Sequence, residues 1–332
     1  MNIVVHVDNL SFSYPEGYEA IKQCIFSLPK GSRCLLAGEN GAGKTTLLQL
    51  LAGKYMVSKE SISILGRPPF HDMKLTCSGQ LSYLGNSWRK DTCFSGYGAT
   101  YQGDISAGKM IFGVEGVDEH RRMRLIEMLD IDLYQRLSTM SDGQRRRVQI
   151  CMGLLKPYDV LLLDEITVDL DVLARLRLLD FFRSECHERQ ATIVYSTHIF
   201  DGLDDWTTHI LFVHRGHVVR FGGFNELVAK AMEEENEDEG RKGRGRLLRI
   251  ISHWMIDGDE SVSAIEAQKE IAEREASVQV MKKNTEAESV AVVGREEEER
   301  KKQKEIIASI VPSLLVPHIP LGMGSRHNAY YR

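Results

Sequence analysis

Gly38-Glu39-Asn40-Gly41-Ala42-Gly43-Lys44-Thr45-Thr46 is the stretch that decides the fold, because it has the spacing G-x-x-x-x-G-K-[ST]. The run Arg33-Cys34-Leu35-Leu36-Ala37 before it reads as a buried strand. Thr46-Leu47-Leu48-Gln49-Leu50-Leu51-Ala52 after it supplies the apolar face of a helix. A glycine-bearing turn between a strand and a helix lets successive backbone N–H groups curl round an anion, and the helix N-terminus adds partial positive charge. Lys44 is long enough to reach the β- and γ-phosphates of a nucleotide, and the Thr45 hydroxyl suits Mg²⁺. Glu39, Asn40, Ala42 and Thr46 complete the loop as candidate nucleotide contacts.

Upstream, residues 3 to 28 alternate as strands around the turn Tyr14-Pro15-Glu16-Gly17. Tyr14 is open to two readings, a half-buried tyrosine or an aromatic face on which a purine stacks. Downstream, residues 61–65 and 80–84 read as short strands and 91–117 as glycine-rich loops. A helix is expected from 119 to 129, with Arg121, Arg122 and Arg124 on a solvated face. Ser141 is the expected N-cap of the next helix, whose first amides offer a second place for a phosphate.

Val160-Leu161-Leu162-Leu163-Asp164-Glu165 reads as a buried parallel strand ending in two carboxylates. In an open parallel sheet this end falls on the same edge as the phosphate loop. Asp164 there suits Mg²⁺ through its water shell, and Glu165 suits activation of a water that attacks the γ-phosphate. Another strand, 192–196, carries His198 to that edge, within reach of a phosphate or the attacking water. Between these strands a helix is expected to run to about Arg189, with Leu173, Leu176, Leu179 and Phe182 on one face.

A hairpin at 209–221 and a helix at 225–232 precede an abrupt change from Glu233-Glu234-Glu235 to Arg241-Lys242-Gly243-Arg244, the strongest boundary in the chain. Beyond it, 247–255 reads as a short strand, and 264–275 and 297–310 are helix-prone. This end is an accessory domain or a partly disordered segment. The chain has 332 residues, 42% of them apolar, which suits one large core or two domains. A net charge of −5 argues against a generally basic nucleic-acid-binding surface. Six cysteines without a C-x-x-C pair read as reduced thiols. The N-terminus lacks an export pattern, and the most apolar run, 306–323, is interrupted by Pro312, Pro317, His318 and Pro320. A soluble cytoplasmic protein, also admissible in the nucleus, is the expectation.

The ordered motifs resemble the nucleotide-binding domain of ATP-binding-cassette proteins over roughly residues 3–230. The resemblance implies an α/β P-loop NTPase of ABC type. Its parts are a parallel core sheet, an N-terminal antiparallel β subdomain and a short helical subdomain at about 87–157. Domain 1–230 is then followed by a charged linker, 231–246, and an accessory region, 247–332. The resemblance also implies that Tyr14 stacks on adenine, that 38–46 is Walker A, and that Lys44, Glu165 and His198 carry hydrolysis. Ser141, Gly143 and Gln144 look like the signature sequence, and Asp171 like the end of the D-loop. Asn86 stands where the family carries a glutamine for Mg²⁺ and water. ATP and Mg²⁺ are the implied ligands. Two domains of the family associate head to tail, so Ser141 and Gly143 are expected to complete the ATP site of a second copy or paired cassette.

Three departures accompany the resemblance: Asp142 replaces a small glycine, Asn86 is one methylene shorter than glutamine, and Ile166 replaces a common proline. Asp142 beside triphosphate must point away or pair with one of Arg145–Arg147. The runs 141–147, 164–171 and 197–202 look like a soluble fungal and plant subgroup, one yeast member of which associates with the carbon-catabolite-repression and deadenylase complex. That likeness implies soluble partners in transcription or messenger-RNA regulation. The alternatives are a peripheral ATPase subunit of a membrane transporter and an ATP-dependent scaffold with weak hydrolysis.

Overall fold

The computed structural model describes residues 2–85, 105–234, 245–268, 301–302 and 304–306. Alternating apolar residues build two long antiparallel strands, β1 (Ile3–Ser13) and β2 (Glu19–Pro29), joined across the expected turn. The phosphate loop lies between β3 (Arg33–Ala37) and α1 (Lys44–Leu51). A short strand, β4 (Ile62–Ile64), pairs with β1 and completes a three-stranded sheet in the order β2-β1-β4.

The next elements are α2 (Met73–Cys77), β5 (Leu81–Leu84), α3 (Ala107–Phe112), α4 (Glu119–Met128) and α5 (Asp142–Leu154). They are followed by β6 (Val160–Asp164), α6 (Val172–Glu188), β7 (Thr192–Ser196), β8 (His209–His214) and β9 (His217–Gly223). The last described helices are α7 (Phe224–Glu234) and α8 (Arg246–Ile256). Six strands form the main sheet in the order β5-β6-β7-β3-β8-β9, parallel throughout except for the terminal hairpin β8–β9.

Alternation along the central strands sends neighbouring side chains to opposite faces, and both faces are covered. Leu35, Leu161, Leu163, Ile193, Tyr195, Ile210 and Phe212 face the core made with α5, α6, α7 and α8. Cys34, Leu36, Val160, Leu162, Val194, Leu211 and Val213 face the core shared with α1 and the three-stranded sheet. Each fully buried Leu, Ile, Val or Phe contributes about 1.5–3 kcal/mol relative to exposure, so the strands that carry the site are held from both sides. A smaller core of Ala107, Leu137, Met140 and Val148 ties α3 to the start of α5.

Four expectations change. Residues 247–255 are helical, because Leu247, Ile250, Ile251 and Trp254 recur at helical spacing and are all buried against the main core. Part of the stretch expected as loops is α3, with Ser106 accepting from the Lys109 N–H as its cap. Arg121 is not on a solvated face: its guanidinium forms two bonds to the buried Glu185 carboxylate, at 2.8 and 3.0 Å. On α6, Leu179 and Phe182 are buried as expected, whereas Leu173 and Leu176 are 57% and 42% exposed.

Residues Met1–Ala264 form one compact unit and Ile265–Arg332 a second. Asn86, the loops at 91–104, the charge reversal at 235–244, the helix-prone runs beyond 268 for the most part, and the apolar and aromatic tail from 307 lie outside the described residues. No helix among the described residues is long and apolar enough to cross a membrane.

Candidate functional site

The loop after β3 is shaped by close packing. A Cβ at Gly38 would lie 2.1 Å from the Val213 carbonyl oxygen at the end of β8, so only glycine lets the two backbones approach. Gly43, with φ +105°, occupies the N-cap of α1 and provides no side-chain acceptor for the first amides. Helix α1 therefore begins with donors directed to the loop, the usual arrangement for holding an anion. Lys44 is buried, and its ammonium bonds the carbonyls of Gly38 at 2.8 Å and Glu39 at 2.9 Å. Burial lowers its pKa, while Glu165, Asp164 and Glu39 oppose that shift.

Strands β6, β7 and β3 are successive parallel neighbours, so their C-terminal ends share one edge. Asp164, the last residue of β6, pairs in register with Ser196 at the end of β7. Thr45 Oγ1 donates to Asp164 Oδ1 at 3.2 Å, and Tyr83 at the end of β5 donates its hydroxyl to Asp164 Oδ2 at 3.1 Å. Burial raises the Asp164 pKa, with the Thr45 and Tyr83 hydrogen bonds acting in the opposite sense, Glu165 raising it further and Lys44 lowering it.

Glu165 follows in the left-handed region, φ +52°, with its N–H bonded to the Ser196 carbonyl at 3.0 Å. A non-glycine residue held there carries about 1–3 kcal/mol of backbone strain. That conformation turns the side chain out of the strand to His198, whose Nδ1 lies 2.8 Å from Glu165 Oε2. Lys44, Thr45, Asp164, Glu165 and His198 are thus gathered at one edge. Tyr14 lies beside them: its hydroxyl is 3.0 Å from Thr46 Oγ1, and its ring packs edge-on against Phe12 and Tyr55.

Ser141, Gly143, Gln144 and Asp171 form a second group at the starts of α5 and α6. Ser141 and Gln144 make a reciprocal capping box, in which the Gln144 amide oxygen accepts from the Ser141 N–H at 2.9 Å. Asp171 caps α6 through the Ala174 N–H at 2.8 Å and also bonds Arg147 of α5. The Ala174 hydrogen bond is the main reason the Asp171 pKa is low, with Arg147 adding to it. Asp142 is exposed and paired with Arg145 at 3.4 Å, one of the two arrangements its charge requires.

The donor set fits a nucleotide triphosphate with a hard cation. The loop amides and the Lys44 ammonium suit phosphate oxygens, and a threonine hydroxyl beside an aspartate suits Mg²⁺. Among the described residues, two features of this edge escape motif reading. Tyr83 has no motif spacing to mark it; its only signal is an aromatic residue at the end of a short strand. His214 at the end of β8 lies 3.8 Å from Glu39 of the loop and 2.8 Å from Asp259, a contact that sequence separation conceals.

A family model described as ABC transporter matches residues 21–168. The chain is 52% identical over 262 residues to ABC transporter I family member 20 of Arabidopsis thaliana, covering 76% of each chain. It is 38% identical over 230 residues to CCR4-associated factor 16 of Saccharomyces cerevisiae, covering 65% of this chain and 77% of the yeast protein. The solved ATP-binding subunit of an ABC transporter has the same fold, with a TM-score of 0.58 at 21% identity over 75% of this chain and 98% of that one. Loop, sheet edge and relatives agree, and the chain belongs to the ATP-binding-cassette transporter family of P-loop ATPases.

Proposed function

We propose that the chain works as the peripheral ATPase subunit of a membrane transporter, hydrolysing ATP at a site completed by a second cassette. The observation that carries the hydrolysis is the convergence of Lys44, the Thr45–Asp164 pair and the Glu165–His198 pair at one sheet edge. The match to the ABC transporter family model and the fold shared with a transporter's ATP-binding subunit support a transporter-type role.

In this reading the loop amides and Lys44 hold the β- and γ-phosphates, and Tyr14 offers its ring to the adenine. Thr45 and Asp164 would hold Mg²⁺, with Asn86 as a further candidate, and the ion would supply positive charge to offset that of the phosphates. Glu165 orients the attacking water and accepts its proton, and His198 fixes the carboxylate through Nδ1. Ser141 and Gly143 of a second copy face the γ-phosphate from a helix N-terminus, with Gln144 bracing that turn and Asp171 joining it to α6. The Arg145 partner draws Asp142 away from that encounter.

A second reading, soluble partners in transcription or messenger-RNA regulation, is the one the subgroup likeness implies, and the yeast relative is named a CCR4-associated factor. Affinity purification of the full chain carrying E165Q, from detergent-solubilised membranes and from the soluble fraction, tests the two. A membrane-embedded partner retained with ATP is the expected result. Recovery of partners from the soluble fraction alone overturns the transporter role, and no phosphate release by the unsubstituted protein overturns hydrolysis.

A further inference from the structure

We infer that Tyr83 is a positioning residue for the Asp164 carboxylate, and that it sets how tightly the nucleotide site takes its divalent cation. The inference rests on the ATP·Mg²⁺ reading of the site. Among the described residues, each Asp164 oxygen has one side-chain donor: Thr45 on Oδ1 at 3.2 Å and Tyr83 on Oδ2 at 3.1 Å. Thr45 also belongs to the phosphate loop, so its hydroxyl would be shared with the cation. The phenol of Tyr83 leaves Oδ1 as the oxygen turned to the loop and removes the carboxylate's freedom to rotate about its own axis.

Two contacts hold the phenol in place. The Lys54 ammonium lies over the Tyr83 ring, 4.2 Å from its centroid, so a residue just beyond the phosphate-loop helix steadies a side chain of β5. The ring also folds back over Gly85, where a Cβ would lie 2.3 Å from the hydroxyl oxygen and 2.6 Å from Cζ. Gly85 thus leaves the space the phenol occupies, and no other residue type does so without displacing it. α1, β5 and β6 meet at one carboxylate, with Thr45 on one oxygen of Asp164 and Tyr83 on the other.

A hydrogen bond to a charged acceptor is worth enough that its loss costs on the order of tenfold in an equilibrium constant. The test is Y83F in the full chain, with G85A as a second variant that keeps the phenol but fills its space. Mn²⁺ binding to the protein–ATP complex is followed by electron paramagnetic resonance, and ATP binding in excess chelator by a fluorescent ATP analogue. Expected in both variants are a folded protein with a lowered thermal midpoint, unchanged metal-free ATP binding and Mn²⁺ affinity about tenfold weaker. The double variant should be no weaker than Y83F alone, because both changes remove one contact. Mn²⁺ affinity equal to that of the unsubstituted protein in Y83F overturns the inference. Failure of the unsubstituted protein to bind the ATP analogue or Mn²⁺ instead overturns the nucleotide-site reading, so the two failures are distinct.

Discussion

Glu165 Oε2 and His198 Nδ1 stand 2.8 Å apart on the loops that leave two neighbouring parallel strands. The pair joins a strained residue to the end of β7, so neither side chain is placed by its own strand alone. Glu165→Gln keeps the shape and removes the proton acceptor. Phosphate release should fall by about a hundredfold or more, the range for a general base, with ATP retained on the protein. Steady-state phosphate assay and nucleotide content after gel filtration check this, and unchanged turnover would sink the proposed role of Glu165.

Lys44→Ala removes the buried ammonium that bonds the Gly38 and Glu39 carbonyls. Its loss leaves α1 and the strands intact, since the side chain packs in the loop rather than in either core. ATP affinity should weaken by roughly a hundredfold, as expected for one well-placed charged contact of about 3 kcal/mol. Isothermal titration with ATP is the measurement, and wild-type affinity would contradict the placement of phosphate on this loop.

Gly38→Ala should be more disruptive than its size suggests. The new methyl would meet the Val213 carbonyl at 2.1 Å, so either β8 or the loop must move. Loss of nucleotide binding with a lowered melting temperature is expected in thermal unfolding with and without ATP. A variant with normal ATP-induced stabilisation would show that the loop adapts without β8.

Glu185 is 4% exposed and takes Arg121 at 2.8 Å and Arg189 at 2.6 Å. Glu185→Ala leaves two guanidinium groups without their carboxylate beneath α4 and α6, and breaking a buried pair in this way costs about 3–5 kcal/mol. Urea unfolding should show that loss while metal-free ATP binding in the folded protein stays close to normal. A change below about 1 kcal/mol would mean that water replaces the carboxylate.

The phosphate loop, the Asp164–Glu165 strand end and His198 were legible because each couples a residue type to a strand terminus, and parallel strands place their termini together. Tyr14 was legible as an aromatic near the loop, but its edge-on packing with Phe12 and Tyr55 depends on the fold. Arg121 was misread because three nearby arginines suggest solvent, and only the arrival of Glu185 from a distant helix turns one of them inward. Residues 247–255 were misread because a short apolar run does not distinguish strand from helix without knowing which face is covered. Tyr83 carried no spacing to find; its partner lies 81 residues away.

Helix α8 gives the charged stretch before it an unexpected standing. Phe212 of β8 packs on Trp254 with ring centroids 5.6 Å apart, and Arg246 lies over the Phe224 ring of α7 at 5.7 Å. Helix α8, which follows the charge reversal in sequence, therefore belongs to the same core as α7. A protease that nicks between 235 and 244 should yield two pieces that co-migrate under native conditions and separate only on denaturation. A gene trimmed at the charge boundary, in contrast, should yield a protein with Phe212 and Phe224 bared and a tendency to precipitate. The most conspicuous seam in the sequence is a poor place to cut.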